Sequence, residues 1–450
     1  MKISSRGQAL VMIVGAMLIT VSAQGQMAQD IKFASTPNPV GSGGRAVAWG
    51  GAFIAVADDA TAASWNPAGL TQLEKPEASV VLSYVHRGES LRFEKYQADV
   101  GTEVASHADV NYASMVFPFH LGKVNIVPSL NYQRLYEFDR KLDFTLTGEQ
   151  MLLAGKENFV EHATFEQVGA LTTVTPAFAV QITPKVSLGF SFNWWGLDPL
   201  GDGWTQQTQS RGKGTIDRID AVVYHRAEAV EEYRFSGFNW QTGLLLKPGK
   251  FSIGAVYKAS FDADIEYQEE LTTSQFSPTD PYLTITPFHL KRKENEKITW
   301  PAAYGLGLAY RFSDAFTVAV DAYRTEWSNF ILTDEKGHKL NLIAGRVGGK
   351  TTIPDTTQVR AGMEYLIIMP KVVVALRGGA FYDPEPREDN PVQFYGVAFG
   401  TGFGLGHFVA DIAYQYRFGF NVPQEKALGD QATADVTDRF LLASLIYHFK

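Results

Sequence analysis

The reading of this chain turns on Gly41–Leu73, GSGGRAVAWGGAFIAVADDATAASWNPAGLTQL. The stretch is too rich in glycine and alanine for a lipid-facing strand or an ordinary amphipathic helix. Gly41, Gly43, Gly44, Gly50 and Gly51 permit tight turns and close approach to a neighbouring wall. Asp58 and Asp59 precede Ala60-Thr61-Ala62-Ala63, so one of them is placed to cap a short helix. Asn66 stands before Pro67, is pushed out of the helical region, and ends that helix. It then caps a second turn that has Pro67 at its first position. The expected object is a folded plug of short helical turns.

Two other readings of this stretch fail on context. Gly41-Ser42-Gly43-Gly44-Arg45-Ala46 fits a loose dinucleotide fingerprint, but Thr36-Pro37-Asn38-Pro39 before it is no buried strand. Asn66-Pro67-Ala68 matches a water-channel tripeptide, but a helical channel needs several apolar spans of about 20 residues, and the chain beyond its first segment has none.

Met1–Ala23 has the parts of a secretory signal peptide: Lys2 and Arg6, an apolar run Ala9–Thr20, and small residues at Val21-Ser22-Ala23. Its apolar run is too short to span a membrane comfortably. The mature protein is expected to begin at Gln24, and loss of the two cations takes the formal charge from -8 to -10. A mildly acidic protein is a poor partner for nucleic acid. With no cysteine, disulfide and thiolate chemistry are excluded, and the 9 histidines form no HExxH motif or close ligand pair. No nucleophile elbow or metal cluster is present, so neither enzyme nor cofactor is expected. Mean hydropathy is -0.10. The telling balance is 13% aromatic residues with 41 glycines, which suits many strands with aromatic girdles better than a helical globule.

After Leu73 the period becomes two. Tyr304, Leu306, Leu308, Tyr310 and Phe312 alternate with Gly305, Gly307, Ala309 and Arg311; Phe408 to Phe418 alternates in the same way. A soluble sandwich alternates too, so the loops decide. Short connections at Leu121-Gly122-Lys123, Thr183-Pro184-Lys185, Pro248-Gly249-Lys250, Ser313-Asp314-Ala315, Met369-Pro370-Lys371 and Leu405-Gly406-His407 alternate strictly with long polar stretches. The latter include Gly148–Glu161, Leu197–Ala227 and Leu271–Glu296. Tight turns at one end and large loops at the other are the rhythm of an outer-membrane barrel. The expectation is an all-β transmembrane antiparallel barrel of about fourteen strands, with residues 1–23 as signal peptide, 24–77 as a lumenal hatch and 78–450 as barrel. Phe449 is penultimate rather than terminal, a departure from the usual aromatic ending of outer-membrane strands.

Gly44-Arg45-Ala46, Ala57-Asp58-Asp59-Ala60 and Asn66-Pro67-Ala68, at this spacing near the mature N-terminus, resemble the FadL/TodX family of outer-membrane transporters of long-chain fatty acids and other hydrophobic compounds. The resemblance continues through Trp300-Pro301-Ala302-Ala303, Ala309-Tyr310-Arg311-Phe312, Asp321 and Trp327-Ser328, and covers nearly the whole mature chain. It implies a fourteen-stranded barrel whose N-terminal segment is a hatch in the lumen. It implies also a kink in the third strand that opens the lumen sideways.

Alternation places Arg311, Asp321, Arg360, Glu364, Arg377, Asp411 and Arg417 in the lumen, and Leu308, Val320, Val374 and Ile412 outward. The polar set either holds an acidic head group by charge-assisted bonds or pairs internally and solvates the interior. Arg45, Asp58 and Asp59 are placed to pair with it. Pro128 and Pro176 fall on neighbouring strands three and four at nearly the same height, each deleting a donor from the ladder. They mark either bulges or, with Ser129, Asn131 and Thr175 beside them, a lateral opening. The function expected is passive entry of hydrophobic or amphipathic small molecules through a monomer in the bacterial outer membrane, in contact with its lipid. The rivals are a barrel of this fold serving secretion or surface assembly, and a polar-solute porin.

Overall fold

A computed structural model of the chain describes residues 39, 41–122, 124–152, 154–197, 203–343, 346–347, 353–424 and 432–450. The signal peptide expected at Met1–Ala23, and the hatch residues 24–38 and 40, lie outside them.

Fourteen wall strands form a closed antiparallel barrel. They are β1 (Glu77–Phe93), β2 (Thr102–Val116, resuming as Phe119–Leu121), β3 (Val124–Glu137, resuming as Arg140–Leu152) and β4 (Gly155–Thr183). Next come β5 (Val186–Trp195, resuming as Gly203–Ile216), β6 (Ala221–Leu246), β7 (Phe251–Lys258, resuming as Phe261–Phe276) and β8 (Ile285–Trp300, resuming as Ala303–Arg311). The circle finishes with β9 (Phe316–Thr325), β10 (Thr356–Ile368), β11 (Val373–Tyr382), β12 (Tyr395–Leu405), β13 (Phe408–Pro423) and β14 (Ala432–His448). β1 pairs with β14 from Glu77↔His448 to Phe93↔Ala432, so the sheet has no free edge. Closure is what lets strands cross a hydrocarbon layer, because each main-chain donor and acceptor is offered a neighbour.

The period-two pattern sorts the two faces. Leu308 is 58% exposed, Val320 48% and Ile412 46%, whereas Asp321 is 1% and Asp411 5%. Outward aromatics gather in two tiers. One contains Trp240, Tyr257 and Tyr304, with ring centroids 5.5 and 5.4 Å apart in sequence, continued by Tyr382 and Tyr395 at 5.3 Å. The other lies by the short turns: Phe251 and Tyr310 at 4.7 Å, Phe312 and Phe316 at 5.4 Å, Phe408 and Tyr447 at 5.0 Å. Such girdles sit at the two water–lipid boundaries, with the aliphatic band between them.

The wall runs further into three stretches read as polar loops. Gly203–Ile216, within the expected loop 197–227, pairs with both β4 and β6; the strand expected to end at Glu270 continues to Phe276 against Ile285–Trp300; and the strand expected to end at Leu146 continues to Leu152, in a hairpin with β4 through Leu152↔Gly155. Both faces of these extensions meet water or polar side chains, as in Thr205-Gln206-Gln207-Thr208-Gln209, so no hydrophobic period betrays them. β9 differs in the other direction. It stops at Thr325, six residues short of the expected Ile331, because Trp327–Asn329 turns in as a short 3-10 helix. That turn buries Trp327, whose Nε1 donates to Thr356 Oγ1 at 3.0 Å.

Residues 41–73 lie within the barrel. They form α1 (Gly44–Ala48), α2 (Ala62–Trp65) and a 3-10 helix (Pro67–Gln72), and bury Trp49, Phe53, Ile54 and Leu70 completely.

Ile412→Arg puts a charge on the outer face between the two aromatic tiers. The expected cost is about 2–4 kcal/mol in denaturant unfolding from lipid vesicles, the range for a midplane cation. A loss below about 1 kcal/mol, the interfacial range, would mean that this face does not meet hydrocarbon.

Candidate functional site

The plug segment is seated main chain against main chain. A Cβ built on Gly189 of β5 would stand 2.2 Å from Ala68 N, and one on Gly362 of β10 2.2 Å from Trp49 O. On Gly379 of β11 it would stand 2.3 Å from Trp49 C, and on Gly254 of β7 2.5 Å from Ile54 O. Gly243, Gly305 and Gly400 are equally tight against Asn66, Ile54 and Ala48. Every strand from β5 to β12 except β9 therefore offers glycine where the plug touches it. β9 offers Asp321 instead, whose Oδ2 accepts from Ile54 N at 2.7 Å. The alternation exposes these glycines as inward residues. That they form one contact surface is visible only once the strands are side by side.

Asn66 is the joint of the segment. Its Oδ1 accepts from Ala68 N at 3.1 Å, with Pro67 at the first helical position, as the spacing predicts. Its Nδ2 donates to Ile54 O at 2.8 Å and to Leu244 O of the wall at 3.1 Å. Asp59 accepts from Thr61 N at 2.8 Å and from Thr61 Oγ1 at 2.6 Å, so it braces the turn before α2 without capping the helix itself. Burial holds the Asp59 carboxyl above its ordinary range, more than the Arg45 charge and the Thr61 donors lower it. Further ties reach the wall: Tyr112 Oη donates to Ala60 O at 2.8 Å, Gly44 N to Ser444 Oγ at 2.7 Å, and Thr71 Oγ1 to Ser187 Oγ at 2.7 Å.

The charges in the lumen form two sets. In the first, Arg45 of the plug pairs with Asp58 and, through Nε and Nη2, grips both oxygens of Glu364 at 3.1 Å. Glu364 also takes Arg377 Nε at 2.6 Å, and Arg377 Nη1 reaches Asp411 at 2.6 Å. In the second, Arg417 contacts Asp383 at 2.8 Å, Glu385 at 2.6 Å and Asp438 at 2.8 Å, and lies over the Phe394 ring at 3.7 Å. Arg87 joins Asp438 at 3.1 Å, and Arg140 joins Glu89 at 2.7 Å. Arg377 and Arg417 are thus saturated with carboxylates and have little charge left for a ligand. Arg360 is held more loosely, with Asp383 at 3.7 Å, Gln358 Oε1 at 3.2 Å and Gly50 O at 3.3 Å. Arg311 stands apart from both sets, exposed at the last position of β8 beside the turn.

Beside Arg360 a cavity rests on Pro39 and Ser64 of the N-terminal segment. Tyr136, Trp195, Phe261, Trp300 and Trp327 line it on one side; Gln133, Asn193, Asn239, Gln241, Lys258, Tyr323, Thr325 and Gln358 are its polar members. The indoles are tied back: Trp300 Nε1 to Tyr136 Oη at 3.2 Å, Trp195 Nε1 to Asn239 Oδ1 at 3.0 Å. Their faces pack largely on one another, Trp195 over Phe261 at 5.7 Å and Phe261 over Trp300 at 6.4 Å, and the cavity meets what is left of this aromatic cluster. Mostly apolar linings with a few convergent polar groups are the usual composition of small-molecule sites. Trp300, Pro301, Ala303 and Trp327 belong to the stretches that carry the family resemblance, and the fold brings them to this one place. Lys258 and Tyr323 are absent from the sequence-derived set. The signal was Tyr257, an outward girdle position, which forces Lys258 inward. Lys258 Nζ sits 5.5 Å from the Tyr323 ring centroid and makes no ion pair among the described residues. A cation–π contact is worth about 0.5–2 kcal/mol, whereas desolvating an ammonium costs several kcal/mol.

The prolines lie where the strand reading puts them, but their missing donors face different seams. Phe117 N donates to Pro128 O at 3.0 Å, so Pro128 faces β2. Asn131 Nδ2 takes Thr175 O at 2.7 Å, so Thr175 faces β3 and its neighbour Pro176 faces β5. The β3–β4 register runs unbroken across both, through Pro128↔Phe178 and Leu130↔Pro176. β2 leaves its ladder with β3 between Val116↔Ser129 and Phe119↔Ile126, at Phe117-Pro118. β4 leaves β5 between Val174↔Trp194 and Ala177↔Ser191. Ser129, Asn131 and Thr175 point inward and are buried. Asn131 Oδ1, 2.7 Å from Tyr112 Oη, shares with Ala60 O the single proton of that hydroxyl, and Thr175 Oγ1 donates to Asn193 Oδ1 at 2.8 Å.

Gly362→Val drives a side chain into Trp49 O. Overpacking of this kind costs about 1–3 kcal/mol, a roughly tenfold or larger rise in the unseated population of the plug. The expected readout is faster trypsin cleavage after Arg45 in proteoliposomes, with no change for Gly378→Val, whose Cβ would meet nothing nearer than Ala398 O at 3.9 Å. Equal cleavage in both variants would separate the glycine surface from plug seating.

Among solved structures, a FadL homologue of Pseudomonas aeruginosa aligns over 92% of this chain and 99% of its own, at 15% identity and a TM-score of 0.53. The toluene transporter TodX of Pseudomonas putida aligns over 91% and 99%, at 13% identity and 0.55. The toluene transporter TbuX of Ralstonia pickettii aligns over 91% and 99%, at 15% identity and 0.52. These likenesses are of fold. No curated protein matches the sequence. The family model "Outer membrane protein transport protein (OMPP1/FadL/TodX)" matches residues 19–393, and the chain belongs to that family of outer-membrane transport proteins.

Proposed function

We propose that this barrel admits hydrophobic or amphipathic small molecules passively across the outer membrane, acting as a monomer. The observation that carries the reading is the aromatic cavity inside the barrel, floored by the N-terminal segment. A water-filled pore gives an apolar solute no driving force, whereas contact with aromatic rings does. The route runs from the polar extensions of β3–β8 into the cavity, and the segment Gly41–Leu73 closes the way below as a hatch.

The exit in this reading is lateral, at the seam between β2 and β3. Phe117 N keeps one bond across it, to Pro128 O at 3.0 Å, but Pro118 and Pro128 have no N–H to offer. A seam with missing bonds opens at lower cost than one with a full ladder, each bond contributing about 0.5–1.5 kcal/mol. The second gap, at Pro176, lies on the other side of an intact β3–β4 pair and serves here as an internal control.

Two experiments test the reading. Deleting residues 24–69 is expected to leave a folded barrel, raise single-channel conductance in planar bilayers and abolish selective uptake of toluene or oleate into cells. Unchanged conductance and uptake would remove the hatch from the mechanism. For the exit, the chain has no native cysteine, so Pro118→Cys with Val127→Cys, neighbours in the extrapolated β2–β3 register, permits reversible closure. Oxidation is expected to lower uptake severalfold and reduction to restore it. Uptake indifferent to oxidation would place release at the periplasmic mouth.

A further inference from the structure

We infer that His107 is a proton-dependent clasp on the upper end of the β2–β3 seam: its imidazolium holds the two strands together, and loss of the proton frees them to part. The inference deepens the lateral-exit reading above by naming what governs the seam, and its consequence for transport rests on that reading.

The seam is laddered over only part of its height. β2 pairs with the middle of β3 over five positions, from Val116↔Ser129 to Tyr112↔Gln133. Above Tyr112, β2 runs on to Thr102 paired with β1 alone. Main-chain pairing on the β3 side resumes where the short strand Gln97–Asp99 meets Thr145–Thr147. Among the described residues a window is left in the wall, framed by residues 102–111 on β2 and 134–144 on β3. Its inner side opens on the lumen, where Glu137 lines a cavity with Val85, Asn111, Arg417 and Asp438. Its outer side is polar. Ser106 Oγ lies 2.9 Å from His86 Nδ1, and His86 is in register with Arg439, two residues beyond the outward Tyr84. The window therefore stands at head-group height, above the hydrocarbon band.

Side chains alone span it. Arg134 of β3 reaches Asp109 of β2 at 3.1 Å and Glu137 at 2.6 Å. Glu103 of β2 accepts from Asp143 N at 3.1 Å. Between these ties His107 of β2 stands with Nδ1 2.7 Å from Asp139 and Nε2 3.1 Å from Glu137. A neutral imidazole has one N–H, so its bare nitrogen would face a carboxylate oxygen, and only the imidazolium suits both. The neighbouring charges do not replace it. On β1, Arg87 is held by Glu89 and Asp438, and Glu89 also takes Arg140 of β3. From β4 comes Gly169 N, which donates to Asp139 Oδ1 at 2.9 Å. With the proton gone, Glu103 and Asp109 on β2 face Glu137 and Asp139 on β3 with Arg134 as the remaining cation across the window, and like charges push the strands apart. The five-pair ladder below then has a loose upper end as well as the break at Pro118, and short ladders open from their ends.

The chain has no native cysteine, so Val104→Cys and Lys141→Cys, exposed on opposite sides of the frame, take a pair of spin labels. Their dipolar coupling is read by EPR on the full barrel in lipid vesicles at about pH 6 and about pH 10, either side of the range in which an imidazole between carboxylates gives up its proton. One narrow separation is expected at the lower pH, and a broad distribution longer by several ångströms at the higher. His107→Gln should be broad at both, and His107→Arg, charged throughout, narrow at both. Labels at Val397→Cys and Tyr416→Cys, on the intact β12–β13 ladder, should read one separation at both pH values, which shows the barrel to be folded. A wild-type separation that ignores pH, or a response that persists in His107→Gln, overturns the clasp. If the Pro118–Val127 disulfide still stops uptake in that case, the exit reading stands without it. If the window responds to pH while uptake ignores that disulfide, the clasp stands and its part in the exit is overturned.

Discussion

The interior of this barrel depends on one constraint: the main chain of Gly41–Leu73 lies directly on the main chain of the wall. That approach is possible only where the wall has no side chain, and glycine occupies the main-chain contact on β5, β7, β8, β10 and β11, and makes room for the Asn66 and Ala48 side chains on β6 and β12. The consequences propagate. With glycine at the contact, Asn66 reaches Leu244 O, Trp49 inserts over Gly362 and Gly379, and Arg45 comes within reach of Glu364. Larger wall residues would lift the segment and break these bonds together. Four fully buried apolar side chains, each worth about 1.5–3 kcal/mol, contribute more to seating than the Arg45–Glu364 pair, since a buried ion pair nearly cancels its own desolvation. The pair instead fixes orientation, because its two parallel bonds tolerate little rotation.

The ionic content of the lumen is mainly architecture. Arg377 and Arg417 bind the inner faces of β10–β14 to one another and, through Arg45, to the plug. Opposite them, β6–β9 present aromatic rings and amides. The barrel is thus asymmetric about its axis, cross-linked by charge on one side and lined by aromatic rings and amides on the other. Arg360 and Lys258 stand at the border between the halves.

Legibility from sequence followed the solvent contrast across the wall. Between the girdles one face meets hydrocarbon and the other a polar lumen, so Phe408 to Phe418 shows the period plainly and the inward set follows from it. Beyond the girdles both faces meet polar surroundings, and Gly203–Ile216 and the end of β7, residues 271–276, therefore pass for loops. The plug was legible for a different reason. Asn66-Pro67 and the glycines carry local backbone preferences that need no partner to be read. What sequence alone withholds is adjacency. It lists Arg417 and Arg360 alike as inward cations, and only the folded neighbours show one saturated with carboxylates and the other loosely held. The same holds for the prolines: their heights are countable along the chain, but which seam each faces depends on the alternation of main-chain direction within β3 and β4.

The plug leads into β1 through three residues, Glu74 to Pro76, and β1 is also the strand to which β14 must return. Pro76 O accepts from Phe449 N at 2.8 Å, so the two ends of the barrel meet beside the root of the plug. The order of events in assembly follows. A cylinder sealed first would have to thread a folded segment with Trp49 and Trp65 through a mouth it already fills. A sheet that curls around the segment avoids that passage, with the β1–β14 seam closing over it. In that order of events the segment is a mandrel: a form over which the wall is wound, left inside when the seam closes.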